Sequence, residues 1–315
     1  MNDLPATPAY PGLSTLLEDS RRTELLFYGM TPPRRSIEGE ALARFDEVTR
    51  TRLQQLDIDA LILYDIDDEA ERVPDERPFP FSPTMDPVDF LAEHLAWWDR
   101  PTIVYRSVGK YSPAELDSWV RRSTGGIGTV MVGAPTSTAD VKTSLSAAYD
   151  LWQRCGSVLP LGGVTIPERH ASRLDEHQRL LRKQQSGCSF FVTQIIYDVG
   201  AAMDLASDYL YLCRSEGVEA VPIVFTLSIC GSVKTLEFLA WLGVKVPRWL
   251  RNELTHASDP VADSYEHCVG IARTLSVFCR DRGLTFGFNI ESVSTRRVEN
   301  EASAELVKEL RTFIG

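Results

Sequence analysis

Short apolar runs alternate with longer stretches of helical periodicity along most of the chain. Eight of the runs read as strands, each rich in β-branched or aromatic residues. They are "ELLFYGM" (24–30), "ALILYDI" (60–66), "TIVYRSV" (102–108) and "IGTVMVG" (127–133) in the first half. "LGGVTIP" (161–167), "SFFVTQIIYD" (189–198), "AVPIVFTLSI" (220–229) and "LTFGFNIE" (284–291) follow. Their near-continuous apolar character predicts parallel strands buried on both faces. The intervening segments carry helix punctuation. Asp86-Pro87 and Ser112-Pro113 predict an N-cap followed by proline at the first helical position, and Glu115 completes a capping box with Ser112. "ASRLDEHQRLLRKQQSG" puts Leu174, Gln178 and Leu181 on one helical stripe and ends at Gly187. Asp259-Pro260 opens a long helix that closes at Gly283, and the interval 230–283 has room for more than one helix.

Eight strand–helix units in 315 residues predict an α/β fold, a single (βα)8 TIM barrel with extra helices between strands 7 and 8. A doubly wound open sheet is the competing arrangement. Against it, no GxGxxG follows the first strand, and "TGGIGT" (124–129) precedes strand four instead of joining a strand to a helix. Residues 1–20 are polar and proline-rich, and are expected to form a loosely ordered tail, leaving 21–315 as the barrel domain.

Composition narrows the function. A net charge of −11 and only scattered arginine pairs, such as Arg121-Arg122 and Arg296-Arg297, argue against a nucleic-acid partner. No apolar run suits a membrane span, and the start resembles no signal peptide. The six cysteines form no CxxC and the five histidines no HxxxH or HxH, so reduced thiols, a cytoplasmic location and no metal are expected.

In a barrel, chemistry sits at the C-terminal strand ends. Here those ends carry Gly29, Tyr64-Asp65, Tyr105-Arg106, Glu168 to His170, Gln194 to Asp198, Thr226 to Ser228 and Asn289 to Glu291. At strands five and six the residues become specific. "IPERH" (166–170), a helix, and "SGCSFFVTQIIYD" (186–198) resemble the methylenetetrahydrofolate reductase family, with its Tyr-Pro-Glu-x-His-Pro and Ile-Thr-Gln-Phe-Phe-Phe-Asp motifs. The likeness continues through "GVKVPRWL" (243–250) and "LTFGFNI" (284–290), and "FYGMTPPR" looks like that family's first strand. It is strong from 160 to 290 and faint from 60 to 158.

The resemblance implies a flavin-binding βα barrel in which NAD(P)H reduces methylenetetrahydrofolate to methyltetrahydrofolate. Carried onto this chain, it makes Gln194 the leading substrate contact, flanked by Thr193 and Phe225. His170, Glu176, Lys183 and Tyr64 fall on cofactor-side positions. The departures are heavy. The family's first-strand glutamate, its proton donor, falls on Gly29. The strand-four Arg-Gly-Asp-Leu-Pro reads "VGAPTS" (132–137), with Val132 for the arginine and Ala134 for the aspartate. FAD binding is therefore expected to be weak or absent. Reduction still requires a proton at a folate amine, and Asp65 is the replacement favoured by position, ahead of Glu291 and Tyr28.

An acidic-aromatic insertion, 64–87, follows strand two. Phe79 and Phe81 within it would each gain roughly 1.5–3 kcal/mol on burial, so the segment is expected to pack over the barrel mouth. The functional expectation is an oxidoreductase of this family acting on a tetrahydrofolate one-carbon unit, with NADH or NADPH as donor. The alternatives are a flavin-independent folate-dependent one-carbon or methyl transferase, and a non-catalytic ligand-binding barrel.

Overall fold

The computed structural model describes residues 12–19, 24–67, 77–123, 126–134, 141–156 and 159–314. The first elements are α1 (Leu13–Asp19), β1 (Leu25–Met30), α2 (Gly39–Gln54), β2 (Ala60–Leu63), α3 (Pro87–Glu93) and β3 (Thr102–Ser107). Then come α4 (Pro113–Arg122), β4 (Ile127–Val132), α5 (Leu145–Arg154), β5 (Leu161–Thr165), α6 (Pro167–Arg173), α7 (Glu176–Gln185) and β6 (Cys188–Ile195). The chain continues through α8 (Val199–Ser215), β7 (Ile223–Ser228), α9 (Val233–Trp241), α10 (Arg248–His256), α11 (Pro260–Arg282), β8 (Phe286–Glu291) and α12 (Arg297–Arg311). The eight strands pair in parallel in chain order, and β8 pairs back onto β1, closing the barrel. This is the expected (βα)8 architecture, and α9 and α10 are the extra helices between strands 7 and 8, ahead of α11, which packs between α8 and α12.

Strand alternation divides the core in two. Leu25, Phe27, Ile62, Ile103, Tyr105, Val130, Phe190, Val192 and Val224 fill the barrel interior. Leu26, Tyr28, Leu61, Leu63, Phe225 and Phe288 face the surrounding helices. The expected caps are present: Asp86 accepts from the Val88 amide, Ser112 and Glu115 form the capping box, and Asp259 caps α11.

Two expectations are corrected. Leu13–Asp19, assigned to a loose tail, is a helix that closes the amino-terminal end of the barrel, while residues 1–11 and 20 lie outside the described residues. Leu13 and Leu17 are buried with Phe190 and Val130 in the interior cluster. Gly128 provides the seat, since a Cβ there would stand 2.1 Å from the Leu13 side chain. Sequence polarity around the helix hid its two inward leucines. The second correction is at Leu174, expected on one continuous helical stripe. Leu174 instead ends α6 in the left-handed region (φ 56°) with its side chain exposed, and α7 starts two residues later.

The described part of the insertion docks on α9 and on the chain just after β1. Arg34 and Thr84 form an antiparallel bridge beside β1, and the Met85 amide donates to the Pro33 carbonyl. Phe79 meets Phe238 of α9 edge-on at 5.2 Å. Arg77 lies over Phe81, Phe238 and Trp241. The segment therefore links the β1 and β7 sides of the carboxyl-terminal face; 68–76 lies outside the described residues. Among the described residues no helix is long and apolar enough to cross a membrane, and all six cysteines are unpaired.

Candidate active site

At the carboxyl-terminal mouth, the interior-facing positions of β1, β2, β7 and β8 meet. Gly29 pairs in register with Glu291 on β8. The space a side chain would need at Gly29 is taken by Tyr64. A Cβ there would stand 2.8 Å from the Tyr64 ring and hydroxyl, and 3.1 Å from Asn289 Oδ1. The Tyr64 hydroxyl donates a short hydrogen bond to Glu291 Oε2. Asn289 Nδ2 donates to the Tyr64 oxygen at 2.9 Å, and lies 3.3 Å from Thr226 Oγ1 and 3.4 Å from Glu291. Tyr105 packs edge-on against Tyr64 with ring centres 4.7 Å apart.

Burial dominates the electrostatics of this cluster. It pushes the Glu291 carboxyl up to about 7, against the hydrogen bonds from Tyr64 and Asn289 that lower it. It also raises both tyrosines well above their ordinary value, with the nearby Glu291 charge adding to the effect. Glu291 can thus hold or release a proton near neutrality, while Tyr64 remains a fixed donor. Asn289 Oδ1 is buried without a partner, a free acceptor at the same place.

Asp65 is committed elsewhere. Its side chain accepts from Lys110 Nζ, from the Tyr111 hydroxyl at 3.0 Å and from the Ser107 amide at 3.1 Å. Tyr111 and Arg106 extend this network to Asp86, joining the loops after β2 and β3 to the cap of α3. Burial alone would raise the Asp86 carboxyl, but the Arg106 guanidinium wins and holds it below the usual range. Tyr28 is also removed from the mouth: it faces the helix layer, where burial raises its hydroxyl and Arg52 opposes that. Both misplacements have one cause. Interior and exterior positions alternate along a strand, and 28 and 65 fall on the exterior parity that 29 and 64 avoid.

Among the substrate-side expectations, Gln194 is at the mouth, donating from Nε2 to the Leu242 carbonyl at 2.9 Å. Thr193 stitches β6 to β7, accepting from the Thr226 amide at 2.8 Å. Phe225 is fully buried in the helix layer against Phe288, so it does not reach the mouth. A cavity of ≈ 550 Å³ lies beside the Gln194–Leu242 contact, lined by Asp198, Gly243, Lys245 and Arg251 among others. A larger one, ≈ 620 Å³, sits between α10 and α11, away from the strand ends.

On the cofactor side only Tyr64 faces the mouth. His170 is fully buried among the outer helices, its Nε2 3.0 Å from Asp208 Oδ2. Glu176 is sealed under the end of β5, within 3.3 Å of the Thr165 hydroxyl, the Ile166 amide and Arg169 Nη1. Lys183, its ammonium disfavoured by burial, donates to the Val164 carbonyl. Asn289, Tyr105 and Thr226 are the mouth residues that motif matching passed over; their shared parity with Gly29, Tyr64 and Glu291 is the signal that finds them.

Residues 153–281 match the family model described as methylenetetrahydrofolate reductase. One solved structure, an uncharacterized protein from Clostridium thermocellum described as binding two copies of 5-methyl-5,6,7,8-tetrahydrofolic acid, is 39% identical with a TM-score of 0.83. The alignment covers 94% of this chain and 98% of that one. More distant are oxaloacetate acetylhydrolase (13% identity, TM-score 0.49, 96% and 86% coverage) and dihydropteroate synthase of Xanthomonas albilineans (13%, 0.43, 93% and 92%). Among curated proteins, nothing matches the chain.

Proposed function

The chain belongs to the methylenetetrahydrofolate reductase family, and on that premise we propose that its barrel mouth binds a reduced folate and reduces a folate-borne one-carbon unit. The observation that carries the reading is the exchange around Gly29. A carboxylic acid absent from β1 stands on β8 at the position paired with Gly29, with Tyr64 filling the vacated volume. The 39%-identical relative that binds 5-methyltetrahydrofolate supports the choice of ligand.

In this reading Glu291, neutral up to about 7, protonates the bridging amine of methylenetetrahydrofolate. The carbon–nitrogen bond to that amine breaks, leaving an iminium. Hydride from a reduced nicotinamide adds to the iminium carbon, giving the methyl group and the oxidised nicotinamide. Tyr64 and Asn289 hold the Glu291 carboxyl in place, and the free Asn289 Oδ1 accepts an N–H of the ligand. Gln194 stands on β6, two strands from Glu291, and Lys245 and Arg251 in the cavity beyond it suit the carboxylates of a folate.

The residues present do not fit a flavin. Val132 and Ala134 replace the hydrogen-bonding pair of the strand-four motif. Glu176, Lys183 and His170 are consumed by internal contacts. Hydride therefore passes from the nicotinamide to the folate without FAD in this reading, and the purified protein is expected to be colourless. The same losses favour a second reading, transfer of a one-carbon or methyl group without a nicotinamide.

Two measurements on the purified chain test these readings. Thermal stabilisation by 5-methyltetrahydrofolate is expected; its absence sinks the folate reading. Oxidation of NADH or NADPH that depends on methylenetetrahydrofolate, with no flavin added, is expected as well. Stabilisation without oxidation leaves the transferase and the non-catalytic ligand-binding barrel. Glu291→Gln should keep the stabilisation and lose at least about a hundredfold in turnover. Unchanged turnover would remove Glu291 from the chemistry.

A further inference from the structure

Outside β5 and β6, helices α6, α7 and α8 pack together, and each contributes one polar side chain to a common point. His170 comes from α6, His177 from α7 and Asp208 from α8, and one ligand atom from each lies within 4.8 Å of the others. His170 Nε2 and Asp208 Oδ2 are 3.0 Å apart, and the two imidazole rings meet edge-on with centres 5.1 Å apart. Three polar atoms of this neighbourhood are buried without partners: His170 Nδ1, His177 Nδ1 and Asp175 Oδ1. Unpartnered buried polar atoms are uncommon in folded proteins, and the one that bears on a shared ligand is His177 Nδ1, beside the His170 Nε2–Asp208 Oδ2 pair; His170 Nδ1 lies across its ring from that pair.

We propose that His170, His177 and Asp208 form a binding site for one divalent transition-metal ion of the zinc type. Two imidazoles and a carboxylate are a borderline donor set that suits zinc, cobalt or nickel and disfavours calcium and magnesium, which take all-oxygen cages. Metal–ligand bonds of about 2.0–2.2 Å place tetrahedral ligand atoms roughly 3.3 Å apart. The His170–Asp208 edge is near that separation already. His177 is half-buried and Asp208 exposed, so both have room to close the remaining gap, and the ion has a path from solvent. The left-handed turn at Leu174 makes this convergence possible. It folds α7 back beside α6, so that His170 and His177 meet even though the helix break puts them on separate elements.

The position suggests what the ion does. α6 leaves directly from the end of β5, and α7 carries Glu176 and Lys183, which bond Thr165, Ile166 and Val164 at that end. A metal joining α6, α7 and α8 braces the strand ends from outside the mouth. The site holds the scaffold and takes no part in the transfer step, and it stands whether or not the folate reading holds.

The test uses the tag-free full chain, stripped of metal and titrated with Zn²⁺ by calorimetry and with Co²⁺ by visible absorption. A single saturable equivalent, a Co²⁺ band typical of low coordination number and a raised melting temperature are expected. His177→Ala and Asp208→Asn, at partly exposed positions that leave the metal-free fold intact by circular dichroism, should each weaken uptake at least about tenfold. Absence of saturable uptake by the unmodified chain, or uptake that survives either substitution, overturns the proposal.

Discussion

At the scale of single residues, Gly29 shows how a site is reorganised without a change of fold. The missing side chain is a requirement of this site, because Tyr64 occupies its volume. Gly29→Ala should destabilise the protein by about 1–3 kcal/mol through overpacking, and should weaken folate-induced stabilisation as Tyr64 is displaced from Glu291. Urea unfolding at the stability of the unmodified chain would contradict the close contact. The vacancy itself was legible in the sequence, since the family motif falls on a glycine. Its replacement was legible only in part: Glu291 was among the candidates, but its register opposite Gly29 depends on barrel closure between residues 262 positions apart. A second acid behaves similarly without belonging to that cluster. Glu168 is buried with both carboxyl oxygens unpartnered, and burial, reinforced by Asp198, pushes it up to about 7. Its folded value lies above its unfolded one. The stabilising contribution is therefore complete below the unfolded value, and is lost as pH rises through about 7. Glu168→Gln should flatten the fall in melting temperature between about pH 4.5 and about pH 7. A fall as steep as in the unmodified chain would place the titrating group elsewhere.

At the scale of elements, most of the pattern was readable because it is local. Apolar runs, proline-led caps and the glycine stops at 187 and 283 each depend on a few neighbouring residues, and the strands and most of the helices appear where they predict. What escaped depends on contacts made later in folding. Asp65 stands at a strand end as a catalytic acid would, but its neighbour Tyr64 holds the interior position and Asp65 turns outward to Lys110, Tyr111 and the Ser107 amide. It therefore joins the loops after β2 and β3. Asp65→Ala should cost about 2–4 kcal/mol, toward the lower side of what breaking a fully sealed ion pair costs, because Lys110 keeps contact with water. Turnover should stay within about threefold in the same variant, since a residue outside the reacting cluster contributes no proton transfer. A loss of activity as large as that expected for Glu291→Gln, at unchanged stability, would restore Asp65 to the chemistry. The histidines make the same point about distance. No short spacing joins His170, His177 and Asp208, because their convergence is produced by helix packing and a single left-handed residue.

At the scale of the whole molecule, the barrel separates stability from chemistry by its two ends. The amino-terminal end is closed by α1, with Leu13 seated on Gly128 and Leu17 beside it. The carboxyl-terminal end carries Tyr64, Asn289 and Glu291, and the docked part of the insertion. Between them lie apolar interior side chains from β1, β2, β3, β4, β6 and β7, packed as one layer. A change at the plug should therefore register as stability and leave the mouth's affinity intact. Leu13→Ala removes a fully buried side chain from a close-packed seat, and is expected to cost about 2–4 kcal/mol in urea unfolding. The dissociation constant for 5-methyltetrahydrofolate, measured well below the melting temperature, should stay within about twofold. A large loss of folate affinity in a variant that remains folded would mean that the packed interior transmits the plug's position to the strand ends, and the two ends would then have to be treated as one coupled unit.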